Sequence, residues 1–174
     1  MENRMPGRVL SHTALLHPDY WGFDLHDIDN PPGELDAAVV EHADQYGVAA
    51  VGHHILVQTT QNSARVQVTV EIWDQCAPPG VEYEIDHGIF RVSLPSGLLL
   101  MWQRTFGGAD TVEFPTAGDY EVHAWSNGRA AAGEAIEHIT RGDDEEPTLE
   151  RIREVDGVER YLFQFHLVRA SASE

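Results

Sequence analysis

The chain contains no lysine: all eleven basic residues are arginine. That absence removes Schiff-base chemistry, attachment of pyridoxal phosphate and the phosphate-binding lysine of a P-loop. A single cysteine, Cys76, excludes an internal disulfide framework. Its acidic neighbours also work against a reactive thiolate. No Gly-x-Ser-x-Gly elbow is present for nucleophilic hydrolysis. No stretch approaches the roughly 20 apolar residues of a membrane helix, and residues 1–16 lack the apolar run of a signal peptide. The cytoplasm is therefore the default location. Eleven arginines stand against 29 aspartates and glutamates, a net charge of −18. Direct binding to a nucleic-acid backbone or to anionic lipid is disfavoured, because both draw on clustered Lys and Arg.

What is present is enough for one packed domain over residues 1–174, since 42% of the residues are hydrophobic. Arg8–Leu16 reads as a first strand. Tyr20-Trp21-Gly22-Phe23 puts three aromatics in four residues, a cluster expected to pin its loop to the core. After Pro31-Pro32-Gly33, the segment Glu34–Tyr46 carries Leu35, Ala38, Val39, Ala43 and Tyr46 on one stripe, with Gly47 just past the end. This spacing predicts a short amphipathic helix. From residue 53 the period changes to two. Val66, Val68, Val70 and Ile72 alternate with Gln67, Thr69, Glu71 and Trp73, the clearest strand pattern. Residues 81–90 alternate as well, but the faces swap near Asp86-His87-Gly88, where a bulge or turn is expected. Leu98–Trp102 is nearly all apolar. Tyr120, Val122 and Ala124 follow a Gly118 corner, in the manner of a tyrosine corner, and Asn127-Gly128 signals a turn. Arg129–Arg141 is open between loop, helix and strand. An acidic loop spans 141–148. Tyr161, Phe163, Phe165 and Leu167 form one apolar face, and 170–174 is expected to fray. The pattern predicts an all-β, two-sheet antiparallel sandwich of seven to eight strands with one short N-terminal helix.

No catalytic residue set emerges, and no cofactor is implied. The ten histidines show no ligand spacing for a metal. His53 and His54 are adjacent and point to opposite faces of a strand. The histidines are read as solvated or hydrogen-bonded surface residues. The acidic residues carry more. On a regular strand Glu82, Glu84 and Asp86 fall on one face, with Glu71 and Asp74 on the preceding strand. If those strands pair, like charges face one another, a cost that a surface meeting a cationic partner would tolerate. Glu71, Asp74, Glu82, Glu84, Asp86, Glu121, Asp143, Asp144, Glu145 and Glu146 are therefore the candidate partner-binding residues. The competing class is a small-molecule or carbohydrate-binding sandwich with Trp21, Trp73, Trp102 and Trp125 as an aromatic platform. A metal-dependent enzyme comes third.

Four pieces in order resemble the competence protein J family: Tyr46–Gly52, Ile85–Ser93, Val112–Trp125 and Arg160–Leu167. The likeness covers about residues 30–168, and the segment Arg129–Gly157 is longer here. The resemblance implies an inhibitor that binds a DNA-entry nuclease, and no inhibitory residue carries over by position. It agrees with the charge, since a carboxylate-rich face can occupy a basic DNA cleft by mimicking phosphates. An immunity protein guarding its host against a nuclease toxin would look the same.

Overall fold

The computed structural model describes residues 5–33, 35–141 and 148–171. Among them are ten strands and three helices. The strands are β1 Arg8–Leu16, β2 Gly22–Asp27, β3 Val48–Val51, β4 His54–Gln58, β5 Val66–Trp73, β6 Ile85–Leu94, β7 Leu98–Gln103, β8 Gly107–Glu113, β9 Gly118–Asn127 and β10 Arg160–Ala170. The helices are α1 Ala37–Tyr46, α2 Arg129–Arg141 and α3 Leu149–Arg153. Two five-stranded sheets result, in the orders β1-β5-β10-β9-β6 and β3-β4-β2-β7-β8.

The period-two segments decide where the core lies. Val66, Val68, Val70, Ile72, Tyr120, Val122, Phe163 and Phe165 are all buried in one cluster, together with Phe23, Leu25, Ile55, Val57, Leu99 and Met101 from the second sheet. Alternation thus gave the inward face correctly. The fold departs from expectation in count and direction: ten strands rather than seven to eight, and β10 runs parallel to β5 while pairing antiparallel with β9. Arg129–Arg141 is a helix, with Ala132, Ile136 and Ile139 buried. The strand β10 continues through Ala170 paired with Gly118, and the Ser171 amide donates to Ala117 O at 2.8 Å. Leu167 falls off the apolar face and is exposed.

In α1, the Asp36 carboxylate caps the first turn by accepting from the Ala38 amide at 2.8 Å. Gly47 ends the helix at φ 88°, its amide donating to Ala43 O, a left-handed cap that favours glycine. The expected start, Glu34, lies outside the described residues. Leu35, Val39, Val40 and Ala43 pack on Ala49 and Leu56, whereas Ala38 and Tyr46 face solvent.

The tyrosine corner is present. The Tyr120 hydroxyl donates to Thr116 O, four residues upstream, and burial pushes its pKa up to about 12. It therefore stays a donor at any physiological pH. Tyr120→Phe should lower stability by about 1 kcal/mol, the net worth of one such bond. Urea unfolding measures this, and an unchanged midpoint would mean the hydroxyl adds nothing to the corner.

Candidate partner-binding surface

The outer face of the first sheet is laid out in rows by its register. Glu71 lies beside Gln164, Gln164 beside His123, and His123 beside Ile89. The next row runs Trp73, His166, Glu121, Arg91. A polar network crosses these rows. The Trp125 indole donates to Gln164 Oε1 at 3.1 Å, and Gln164 Nε2 donates to Glu71 Oε2 at 3.2 Å. Trp73 Nε1 donates to the same oxygen at 2.9 Å, and Arg8 pairs with Glu71 Oε1 at 2.6 Å. Glu71 is thus buried and neutralised within the sheet face. Glu121 is held by Arg91 at 3.1 Å and His166 at 3.5 Å.

Asp74, Glu82, Glu84 and Asp86 sit on the rim and are exposed. The segment 81–84 is not a strand. The Val81 amide donates to Pro79 O and the Tyr83 amide to Gly80 O, at 2.9 and 2.8 Å, so the chain turns until Ile85. Pro78 and Pro79, which lack amide donors, enforce this. Glu82, Glu84 and Asp86 therefore do not form a regular strand stripe. Nor does β6 pair with β5, since β9 and β10 lie between them. The expected bulge is there: the register shifts between Asp86 and Gly88. Gly80 lies so close over the Trp125 indole that a Cβ would come within 3.0 Å of it, and Asn127 Nδ2 donates to Glu82 O. The turn thereby covers Trp125 and leaves Glu82 and Glu84 facing solvent beside Asp86.

Glu84, Asp86 and Asp74 also have local work. Glu84 Oε2 accepts from the Gly128 amide at 3.3 Å, just ahead of α2, where negative charge complements the helix dipole. Asp86 accepts from the Gly88 amide and from His123 Nε2 at 2.8 Å. Burial opposes its ionisation, but the Gly88 amide and His123 outweigh it and hold its carboxyl below the usual range. Asp74 accepts from the Gly7 amide at 2.7 Å and is exposed. Among the described residues, Glu82, Glu84 and Asp86 carry no arginine ion pair. Asp143, Asp144, Glu145 and Glu146 lie outside the described residues.

The four tryptophans form no common platform. Trp73 and Trp125 are on the outer face of the first sheet, with Trp125 covered; Trp102 packs by His26 on the second sheet, and Trp21 stands on a turn. Two histidines contradict the surface reading. His26 and His54 are buried on the outer face of the second sheet beside Asp24, with His54 Nε2 at 3.5 Å from Asp24 Oδ1. Arg104 Nε lies 3.5 Å from the other oxygen. Among the described residues no group of three or more His, Cys, Asp or Glu could hold a metal ion. Likewise no helix there is long and apolar enough to cross a membrane.

The aromatic turn departs from expectation as well. Phe23 enters the core, but Tyr20 and Trp21 face solvent. The signal was available: Phe23 and Leu25 alternate inward, and two large residues between Asp19 and Gly22 then fall on a tight turn.

No family model matches the sequence, and no curated protein does. Solved structures are similar in fold. One is ComJ from Bacillus subtilis, described as an inhibitor of the DNA-degrading activity of NucA. It is 14% identical with a TM-score of 0.59, over 95% of this chain and all of that one. Another is described as crocagin biosynthetic gene J, 13% identical with a TM-score of 0.55, over 92% of this chain and all of that one. The chain thus resembles ComJ in its fold.

Proposed function

We propose that this chain is an acidic inhibitor that binds and neutralises a cationic protein, a nuclease first among them. The observation that carries the reading is the exposed Glu82, Glu84 and Asp86 rim, without an arginine partner among the described residues, in a chain of net charge −18. Carboxylates left in solvent attract a basic cleft at long range and occupy positions where it meets phosphates. The fold likeness to a nuclease inhibitor supports the same reading. In contrast, Glu71 and Glu121 serve the sheet, and their role toward a partner is to hold the rim in place.

The test starts from the immobilised chain exposed to extract of the cell that makes it. A DNA-degrading activity should be retained and released by salt. Adding the free protein to that activity should suppress DNA cleavage. Glu82→Arg combined with Glu84→Arg should slow association about tenfold at low salt, with stability falling by no more than about 1 kcal/mol, the part Glu84 contributes ahead of α2. Cleavage that proceeds unchecked by the wild-type protein would remove the proposal.

A further inference from the structure

The turn Asp19–Gly22 holds its backbone against steric preference. Tyr20 and Trp21 lie at φ 49° and 61°, the left-handed region that bulky L-residues rarely enter. Among the described residues they are the only non-glycines at positive φ. The Gly22 amide donates to Asp19 O at 3.2 Å, closing the turn. Two consecutive central residues at positive φ are the mark of a type I′ turn, whose unstrained occupants are Asn and Gly. Outside bonds hold the geometry. The Thr59 amide donates to Trp21 O at 2.9 Å, Arg104 donates to Tyr20 O at 3.1 Å, and Thr105 donates to Asp19.

Core packing does not account for the aromatics. Tyr20 is 70% exposed and Trp21 51% exposed. Phe106, on the adjoining turn that Thr105 ties to Asp19, is 66% exposed, its ring edge-on to His17 at 5.4 Å. Beside Trp21 opens a cleft of about 350 Å³ lined by Thr60, Gly133, Ile136 and Arg141. Strained aromatics left in water lower stability and raise no packing, so their use lies outside the chain.

We propose that Tyr20, Trp21 and Phe106 are the anchor of a docking surface for the cationic protein partner; this rests on the inhibitor reading. Exposed Trp and Tyr dominate the energy of protein interfaces, and an indole face accepts a partner's arginine. A net charge of −18 repels a second copy and anionic lipid and selects a cationic protein. Two guanidinium groups beside the turn are engaged, Arg104 with Asp24 and Arg141 with Glu137. They do not offset that selection. The rim carboxylates set the association rate, and the aromatic tip sets the lifetime of the complex.

Replacing the turn by its unstrained sequence tests this. Tyr20→Asn with Trp21→Gly should raise the Tm by about 4 °C. It should also weaken binding to the salt-released, DNA-degrading fraction captured by the wild-type chain, by about 30-fold or more. Phe106→Ser, at an unstrained position, should weaken binding with the Tm nearly unchanged. Variants that bind that fraction as tightly as wild type overturn the docking surface and leave the inhibitor reading standing. A wild-type chain that captures no DNA-degrading activity overturns both. A wild-type dimer in sedimentation, dispersed by the same substitutions, would place a second copy on this tip and overturn the assignment. A fall in Tm for the Asn-Gly turn would refute the strain on which it is built.

Discussion

Phe163→Ala should destabilise the protein by about 3–5 kcal/mol, the cost of emptying an aromatic site in a packed core. Phe163 is fully buried in β10, paired with Val70 on one side and Ala124 on the other. Its ring stacks on Tyr161 at 6.5 Å. The β10 strand joins the two halves of the first sheet, so a cavity here loosens both neighbours at once. A domain holds only about 5–15 kcal/mol in total, so the Tm should fall by about 10 °C. A loss under about 1 kcal/mol by chemical denaturation would mean the site collapses freely, contrary to a core in which strands from two sheets interlock.

Arg129→Ala should cost about 2–3 kcal/mol at neutral pH and measurably less in acid. Arg129 opens α2 and donates through NH1 to Gln58 O at 2.8 Å and to the Tyr161 hydroxyl at 2.7 Å. That hydroxyl also lies 2.6 Å from Glu159 Oε1. Glu159 is almost fully buried. Burial raises its pKa above the ordinary 4.5, and the Arg129 charge limits the rise. A carboxylate with a raised folded pKa contributes stability that is fully present below the unfolded pKa. That contribution is lost as pH rises through the folded pKa. Removing Arg129 raises the folded value further and deepens the loss at pH 7 relative to pH 5. His87 acts in the same sense. Burial, then the Arg129 charge, hold its pKa below the usual range, so the variant protonates His87 more readily in acid. Unfolding measured at both pH values checks this, and an equal cost at both would contradict the coupling.

The sequence was legible wherever one face of a strand is apolar and the other polar. Val66–Ile72, Tyr120–Ala124 and Tyr161–Phe165 fell on the inward face as their alternation required. The β2 strand was not legible, because Asp24, His26 and Asp27 are polar yet buried. Asp27, for instance, accepts from Ser96 and Asn30 to tie two turns. Alternation says which side a residue faces but not which strand lies beside it. Glu71 and Asp86 were therefore expected on neighbouring rows, and β10 was not expected parallel to β5. The alternation in 81–84 misled for a different reason. Pro78, Pro79 and Gly80 set a turn whose pattern looks like a strand until its hydrogen bonds are seen. Of the acidic set, the rim residues Glu82, Glu84 and Asp86 came out exposed, while Glu71 was drawn into the sheet by Arg8, Trp73 and Gln164.

In the proposed inhibitor role, excess carboxylate on this fold recruits a cationic nuclease. The most direct measurement is the association rate constant between the protein and the DNA-degrading fraction that it captures, across a salt series. Screening shortens from about 10 Å at 0.1 M to about 3 Å at 1 M ionic strength, so the rate should fall steeply with salt while the dissociation rate changes little. The Glu82→Arg, Glu84→Arg variant should start slower and lose less. A rate that is flat across the series, and equal for wild type and variant, would contradict the account.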